Sequence, residues 1–118
     1  MRRVLTDKDL AKLGDAFINF VTSAALSLAS GKAQGIKTPR KTLREAYKLS
    51  ALTNIKLPHD WDPAESVEAL LSYAWLNNCL SSEQAVEFLY KALTSGKALE
   101  VAIALLIDRT LSACLSRG

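Results

Sequence analysis

The stretch that decides the fold is residues 7–29, DKDLAKLGDAFINFVTSAALSLA. Its apolar residues recur at intervals of three, four and seven, which places them in one stripe along a helix. Thr6 is the expected N-cap and Gly31 the expected stop, so we predict a long first helix from Asp7 to Ala29. The predicted apolar stripe contains Leu10, Leu13, Phe17, Phe20, Val21, Ala24, Ala25 and Leu28.

The rest of the chain predicts four further helices. Thr38-Pro39 opens a second helix that ends near Leu52, and Asp62 is expected to cap a third, from Pro63 to Asn77. Ser81 and Gln84 have capping-box spacing at the start of a fourth helix, which continues to Leu93. A fifth runs from Lys97 to Leu115. Because no alternating β pattern and no internal repeat occurs, the expected fold is all-α, a bundle of about five helices in a single domain over residues 1–118.

Composition narrows the class of protein. The 118 residues are 49% hydrophobic and 23% charged, as in ordinary soluble domains, with a net charge of +3. The first residues lack the apolar segment of a secretory signal, and the longest apolar stretch, Val101 to Ile107, is too short to cross a bilayer. We therefore expect a cytoplasmic protein without a membrane span, with Cys79 and Cys114 as reduced core thiols.

Several kinds of catalytic site find no support in the sequence. His59 is the only histidine and has no serine or cysteine partner at an informative spacing, which argues against a nucleophilic triad. No glycine-rich phosphate loop of either usual type occurs, so a nucleotide cofactor is not expected.

Three acidic residues are candidates for a metal site. Gly14 lies in the middle of the first helix, where glycine costs about 1 kcal/mol relative to alanine, and a close approach of another backbone would offset that cost. The adjacent Asp15 borders the predicted stripe, and Glu68 borders the stripe of the third helix, with Glu65 one turn earlier. Carboxylates on facing helices can hold a hard divalent cation, although solvated acids at a helix surface would show the same spacing.

Basic residues concentrate in the segment after the first helix and in the second helix. Residues 32–48 contain six lysines and arginines against one glutamate, the strongest charge cluster in the chain. Such a cluster can neutralise phosphates, but a solvated helix face would have the same composition.

Two motifs resemble the catalytic domain of ribonuclease III. The run Leu13-Gly14-Asp15-Ala16 matches the core of that family's signature, in which the four residue types lie on the first catalytic helix. The later run Glu65-Ser66-Val67-Glu68-Ala69-Leu70-Leu71 is similar to a second motif, in which an acid, two spacers and a glutamate precede an alanine and leucines. The motifs follow each other in the family's order, and the resemblance covers roughly residues 10–89.

The resemblance implies a site and also shows where the chain departs from the family. Asp15 and Glu68 match the central metal-binding carboxylates, and Glu65 occupies a position usually held by aspartate. Ala11 stands where the larger bacterial enzymes have a glutamate, and Lys12 replaces a common aromatic residue. The chain is most similar to the minimal forms, which have no double-stranded-RNA-binding domain and tend to lack that glutamate.

The activity implied is Mg²⁺-dependent hydrolysis, with Mn²⁺ as a substitute, of double-stranded or structured RNA by a homodimer. Asp15, Glu68 and Glu65 would be both the catalytic and the metal-binding residues. The residues expected to contact RNA are Lys37, Arg40, Lys41 and Arg44. Two alternatives stay open at this point: a ribonuclease III-like protein that binds RNA without cutting it, because too few carboxylates remain, and a helical protein-interaction module in which the charged residues are merely solvated.

Overall fold

The fold is described from a computed structural model of the chain, which covers residues 1–115. Those residues form helices and connecting segments, with no strand among them. This confirms the predicted all-α bundle. The helices are α1 (Arg2–Leu5), α2 (Lys8–Ser30), α3 (Arg40–Leu49), α4 (Pro63–Leu76), α5 (Ser82–Thr94) and α6 (Leu99–Leu115), with a 3₁₀ turn at Ala51–Asn54.

The ends of α2 follow from local chemistry. The Asp7 carboxylate, rather than Thr6, caps the helix by accepting from the backbone N–H groups of Asp9 and Leu10. At the other end Gly31 adopts φ 74°, a left-handed conformation that glycine takes without a steric penalty. The predicted stop was therefore correct and the predicted cap was one residue early.

The second helix is shorter than predicted. Helix α3 stops at Leu49, because Ser50 is extended and its hydroxyl caps the following 3₁₀ turn at the N–H of Leu52. The carboxylate of Asp108 accepts a hydrogen bond of 2.7 Å from the N–H of Ala51, which ties this turn to α6. The apolar periodicity within a helix cannot predict a contact between residues so far apart in sequence.

The predicted caps of α4 and α5 are confirmed. The Asp62 side chain accepts from the N–H of Ala64, and Pro63 occupies the first turn, where a missing N–H is harmless. Ser81 and Gln84 form the complete capping box.

Helix α4 is the centre of the core. Nine of its residues are buried, and it packs against α1, α2, α3 and α6. Large side chains from the surrounding helices close the core around it, among them Ile18, Leu43, Leu89, Ile103 and Leu106.

The buried face of α2 differs from the predicted stripe. Its buried residues are Ala11, Gly14, Ile18, Val21, Thr22 and Ala25, whereas Leu13, Phe20 and Leu28 are 40%, 62% and 61% exposed. The physical reason is the close packing of α4, which selects small side chains and turns the larger apolar ones outward. We call Leu13, Phe20 and Leu28 the outer apolar face of α2.

Helix α2 also corrects the expectation that no segment suits a membrane. Its 23 residues are long and apolar enough to cross a bilayer by length and composition. In the folded chain, however, α2 packs along both α4 and α5 and contributes Ile18, Val21 and Ala25 to the core. Of its most apolar 18-residue window, 28% is buried; core helices of soluble proteins and N-terminal signal sequences pass the same compositional test.

The two cysteines were expected to be reduced, and this was wrong. Cys79, after α4, and Cys114, near the end of α6, form a disulfide with their Cα atoms 5.3 Å apart. Their separation of 35 residues carries no motif, so only the packing of α6 beside the end of α4 brings them together.

Candidate active site

The site is built where α2 crosses α4 at Gly14. A Cβ atom at this position would overlap the backbone carbonyl of Glu68. The absence of a side chain therefore lets the two helix backbones touch, as the sequence led us to expect. Because Asp15 follows Gly14 and Glu68 is the residue it touches, the crossing brings these two carboxyl groups together.

Asp15 and Glu68 have different environments. The Asp15 side chain is 41% exposed, at the border as predicted, whereas the Glu68 side chain is only 2% exposed and lies inside the protein. Burial, together with the neighbouring Asp15, raises the pKa of Glu68 to about 7. The pKa of Asp15 is lowered, mainly because it accepts a hydrogen bond from the Glu68 carboxyl and also because Lys37 lies beside it.

One oxygen of Glu68 has no donor from the protein. Its Oε1 atom lies 3.6 Å from Nη1 of Arg40, but Oε2 is buried without a hydrogen-bond partner. When Glu68 is protonated, its carboxyl donates a hydrogen bond to Asp15. When both carboxyls are ionised, Arg40 balances the charge of Glu68 through Oε1, and a bound cation would supply the partner that Oε2 lacks.

Asp15 is held by two side chains. The ammonium of Lys37 lies 3.3 Å from Oδ1, and the Asn19 amide, one helical turn along α2, donates to the same oxygen at 3.5 Å. The other end of Asn19 accepts a 2.7 Å hydrogen bond from the backbone N–H of Thr38. Asn19 thus connects the carboxylate to the basic segment.

A polar row on α2 positions that segment. Asn19, Ser23 and Ser27 follow Asp15 at intervals of four residues, so all of them lie along one side of the helix. The Ser23 hydroxyl pairs with both backbone groups of Ile36, and Ser27 does the same with Gln34. These bonds hold residues 34–38 against α2 and deliver Lys37 to Asp15.

Asp62 organises the arginines of α3. Its carboxylate accepts from Nε of Arg40 at 3.2 Å and from Nε and Nη2 of Arg44 at 3.1 Å each, while also capping α4. These contacts, with that to Arg44 the strongest, lower the pKa of Asp62 to about 2. Asp62 is therefore a fixed anion that orients two guanidinium groups along the edge of the site.

The side chains surround an open cleft of about 360 Å³. Its lining consists of Ala11, Lys12, Asp15, Lys37, Arg40, Glu65 and Glu68. Glu65 thus faces the same cleft as the other two acids, one turn from Glu68, but residues 1–115 contain no group of three acids, histidines or cysteines close enough to hold a metal ion together. The structure brings Asp15 and Glu68 together, whereas Glu65 lines the cleft without joining this pair.

The four basic residues named from the sequence lie in different situations. Lys37, Arg40 and Arg44 each form an ion pair with a carboxylate, and the first two line the cleft. Lys41 is exposed on α3 and makes no ion pair with residues 1–115. Three of these four residues are therefore paired with carboxylates, a property that charge counting along the sequence could not reveal.

Two residues of the site were missed. Asn19 could have been found from its four-residue spacing after Asp15, which marks it as a neighbour on the same helix face. Asp62 was recognised only as a helix cap, and no signal in the sequence connects it to arginines 18 and 22 residues earlier.

The donor set suits a magnesium ion. Mg²⁺ is usually held by one or two carboxylates, and water and substrate phosphate complete its coordination. Asp15 and Glu68 supply two carboxylates, one with an unpartnered buried oxygen. Both face a cleft that is open to solvent.

Comparison with known proteins identifies the family of the chain. A sequence model of the family described as ribonuclease III matches residues 8–113, including Gly14, Asp15 and Glu68, which is consistent with the minimal forms of the family. None of the curated proteins searched matches the chain. Because the family match covers nearly the whole sequence, the chain belongs to the ribonuclease III family.

Proposed function

We propose that the protein is a Mg²⁺-dependent endoribonuclease that cleaves double-stranded or structured RNA as a homodimer. Family membership indicates a ribonuclease-like function. The observation that supports cleavage is the Asp15–Glu68 pair, which lines an open cleft and includes a buried oxygen without a protein donor.

Asp15 and Glu68 would hold the metal ion, with Glu65 contributing directly or through water. A bound divalent ion lowers the pKa of water and stabilises charge on phosphoryl oxygens. The protein's own part is to keep the two carboxylates in contact across the helix crossing and to bind the phosphates of the substrate. Because Glu68 takes up a proton near neutral pH, a bound cation must replace that proton.

The basic side chains would bind the RNA backbone. Lys37 and Arg40 line the cleft, and Arg44 and Lys41 continue the positive surface along α3. Contacts of this kind recognise phosphates and shape rather than base sequence. Replacing the exposed Lys41 should therefore weaken binding and reduce its salt dependence without changing sequence preference.

The outer apolar face of α2 supports a homodimer. Leu13, Phe20 and Leu28 are solvent-exposed, and Phe20 and Leu28 line a hollow of about 380 Å³ between α2 and α5. Val86 and Tyr90 of α5 form its opposite wall. Large exposed apolar side chains grouped at a hollow are typical of an interaction surface, and we assign this one to a second copy of the chain.

We also propose a cytoplasmic location, because the proposed substrate, double-stranded or structured RNA, is made inside the cell. The Cys79–Cys114 disulfide opposes this assignment, since disulfides are rare in reducing compartments.

The second candidate is an RNA-binding protein without nuclease activity. It is favoured by the pairing of only two carboxylates and by Ala11 at the position where larger family members have a glutamate. A two-carboxylate site would then be too weak to organise hydrolysis.

The decisive experiment is cleavage of a labelled RNA duplex by the purified protein, with and without Mg²⁺, beside Asp15→Asn and Glu68→Gln. Metal-dependent cleavage that both substitutions abolish would support the nuclease. Duplex binding without cleavage, unchanged by both substitutions, would support the second candidate. Absence of binding at low salt would contradict both.

A further inference from the structure

Arg40 connects two carboxylates that belong to different parts of the site. Its Nε atom lies 3.2 Å from Asp62, the cap of α4, and its Nη1 atom lies 3.6 Å from the buried Glu68. A guanidinium has donors in a fixed planar arrangement, so one arginine can contact both anions at once.

Arg44 provides a natural comparison. It lies one turn later on α3 and contacts both oxygens of Asp62, but it makes no ion pair with Glu68. The two arginines therefore share the same anchor and differ in whether they reach the carboxylate pair.

The contact of Arg40 has an electrostatic consequence. Its positive charge lies beside the Glu68 oxygen Oε1, on the cleft that also contains Asp15. A divalent cation held by Glu68 and Asp15 would share the Glu68 carboxylate with that charge, and two positive charges at one partly buried carboxylate repel each other. The Arg40 guanidinium and a bound divalent cation therefore cannot both lie beside Glu68 without an unfavourable electrostatic free energy.

We propose that Arg40 is a built-in counter-ion that competes with the divalent metal for Glu68, and that Asp62 is the anchor that retains the guanidinium at the cleft edge when the metal displaces it. This inference rests on the proposed metal site. Arg40 is thus a positioning residue that lowers the metal affinity of the free protein, and a phosphate that draws the guanidinium away from Glu68 raises that affinity.

The test measures metal binding to the full-length protein without RNA. Titration calorimetry with Mn²⁺ at fixed pH and ionic strength compares the wild type with Arg40→Gln and Arg44→Gln, which remove the same charge from the same helix. We expect Arg40→Gln to bind Mn²⁺ about tenfold more tightly and Arg44→Gln to stay within about twofold of the wild type.

Equal affinity in the wild type and Arg40→Gln, or equal tightening in both variants, would overturn the proposal, since the second result reflects net charge alone. Arg40→Lys keeps the charge without the planar fork and should fall between the wild type and Arg40→Gln. This variant keeps the test decisive if the neutral substitution fails to fold. If neither the wild type nor any variant binds Mn²⁺, the metal site itself is wrong and the proposed nuclease function fails with it.

Discussion

The backbone of Gly14 in α2 lies directly against the backbone carbonyl of Glu68 in α4. This contact sets the distance between the two central helices and so the distance between Asp15 and Glu68. Packing and chemistry therefore depend on the same glycine.

We expect Gly14→Ala to destabilise the fold by more than about 3 kcal/mol, because the obstacle to a methyl group is backbone and cannot rotate away. Urea unfolding followed by circular dichroism measures the change. Gly35→Ala is the matched control, since open space surrounds its Cβ position and its effect should be within about 0.5 kcal/mol. Equal stability of the two variants would show that α2 and α4 are further apart than described.

The raised pKa of Glu68 makes stability fall as pH rises. Below pH 4.5 the Glu68 carboxyl is protonated in both the folded and the unfolded chain. Between pH 4.5 and about 7 it ionises in the unfolded chain but stays protonated in the folded chain. Glu68→Gln removes this effect. In chelator-treated protein, the free energy of unfolding of Glu68→Gln should therefore rise relative to that of the wild type, by about 2–3 kcal/mol between pH 5 and pH 8.

Asp62→Asn provides a control of opposite sign. Because the pKa of Asp62 is lowered to about 2, its ionised form stabilises the fold above the ordinary value of 3.8, and this stabilisation disappears as pH falls through 2. The loss of stability that Asp62→Asn causes relative to the wild type should therefore become smaller as the pH falls from 4 to 2. A Glu68→Gln difference that does not vary with pH would contradict the buried carboxyl pair.

The Cys79–Cys114 disulfide should contribute to stability by restricting the unfolded chain. A bridge across 35 residues is worth about 3–4 kcal/mol in the loop-entropy estimate. We expect dithiothreitol to lower the melting temperature of the wild type. The double variant Cys79→Ser, Cys114→Ser should start lower and be insensitive to the reductant. Identical melting of reduced and untreated wild type would show that the bond does not form in solution.

The outer apolar face of α2 predicts a dimer that one substitution can separate. Phe20 is 62% exposed, so Phe20→Asp should leave the monomer folded while placing a charge in the proposed interface. Light scattering after size exclusion should give a dimer mass for the wild type and a monomer mass for the variant. Leu49→Asp, at a 52% exposed position on α3, is the control and should remain dimeric. A monomeric wild type would remove the basis for this interface.

Local sequence chemistry determined most of the helices. Apolar periodicity, the Asp62-Pro63 pair, the Ser81 and Gln84 capping box and Gly31 act within a few residues, so their effects can be worked out from neighbours alone. The same holds for Gly14, whose cost inside a helix indicates a close contact. Asp15 and Glu68 were instead indicated by their resemblance to two motifs of the family.

The tertiary structure decided what depends on residues distant in sequence. It decided which face of α2 is buried, because the close approach of α4 favours small side chains over Phe20 and Leu28. It placed Glu68 inside the protein rather than at its border, joined Cys79 to Cys114, and bound Arg40 and Arg44 to Asp62. Burial and ion pairing depend on which helices pack together, and periodicity within one helix contains no information about its neighbours.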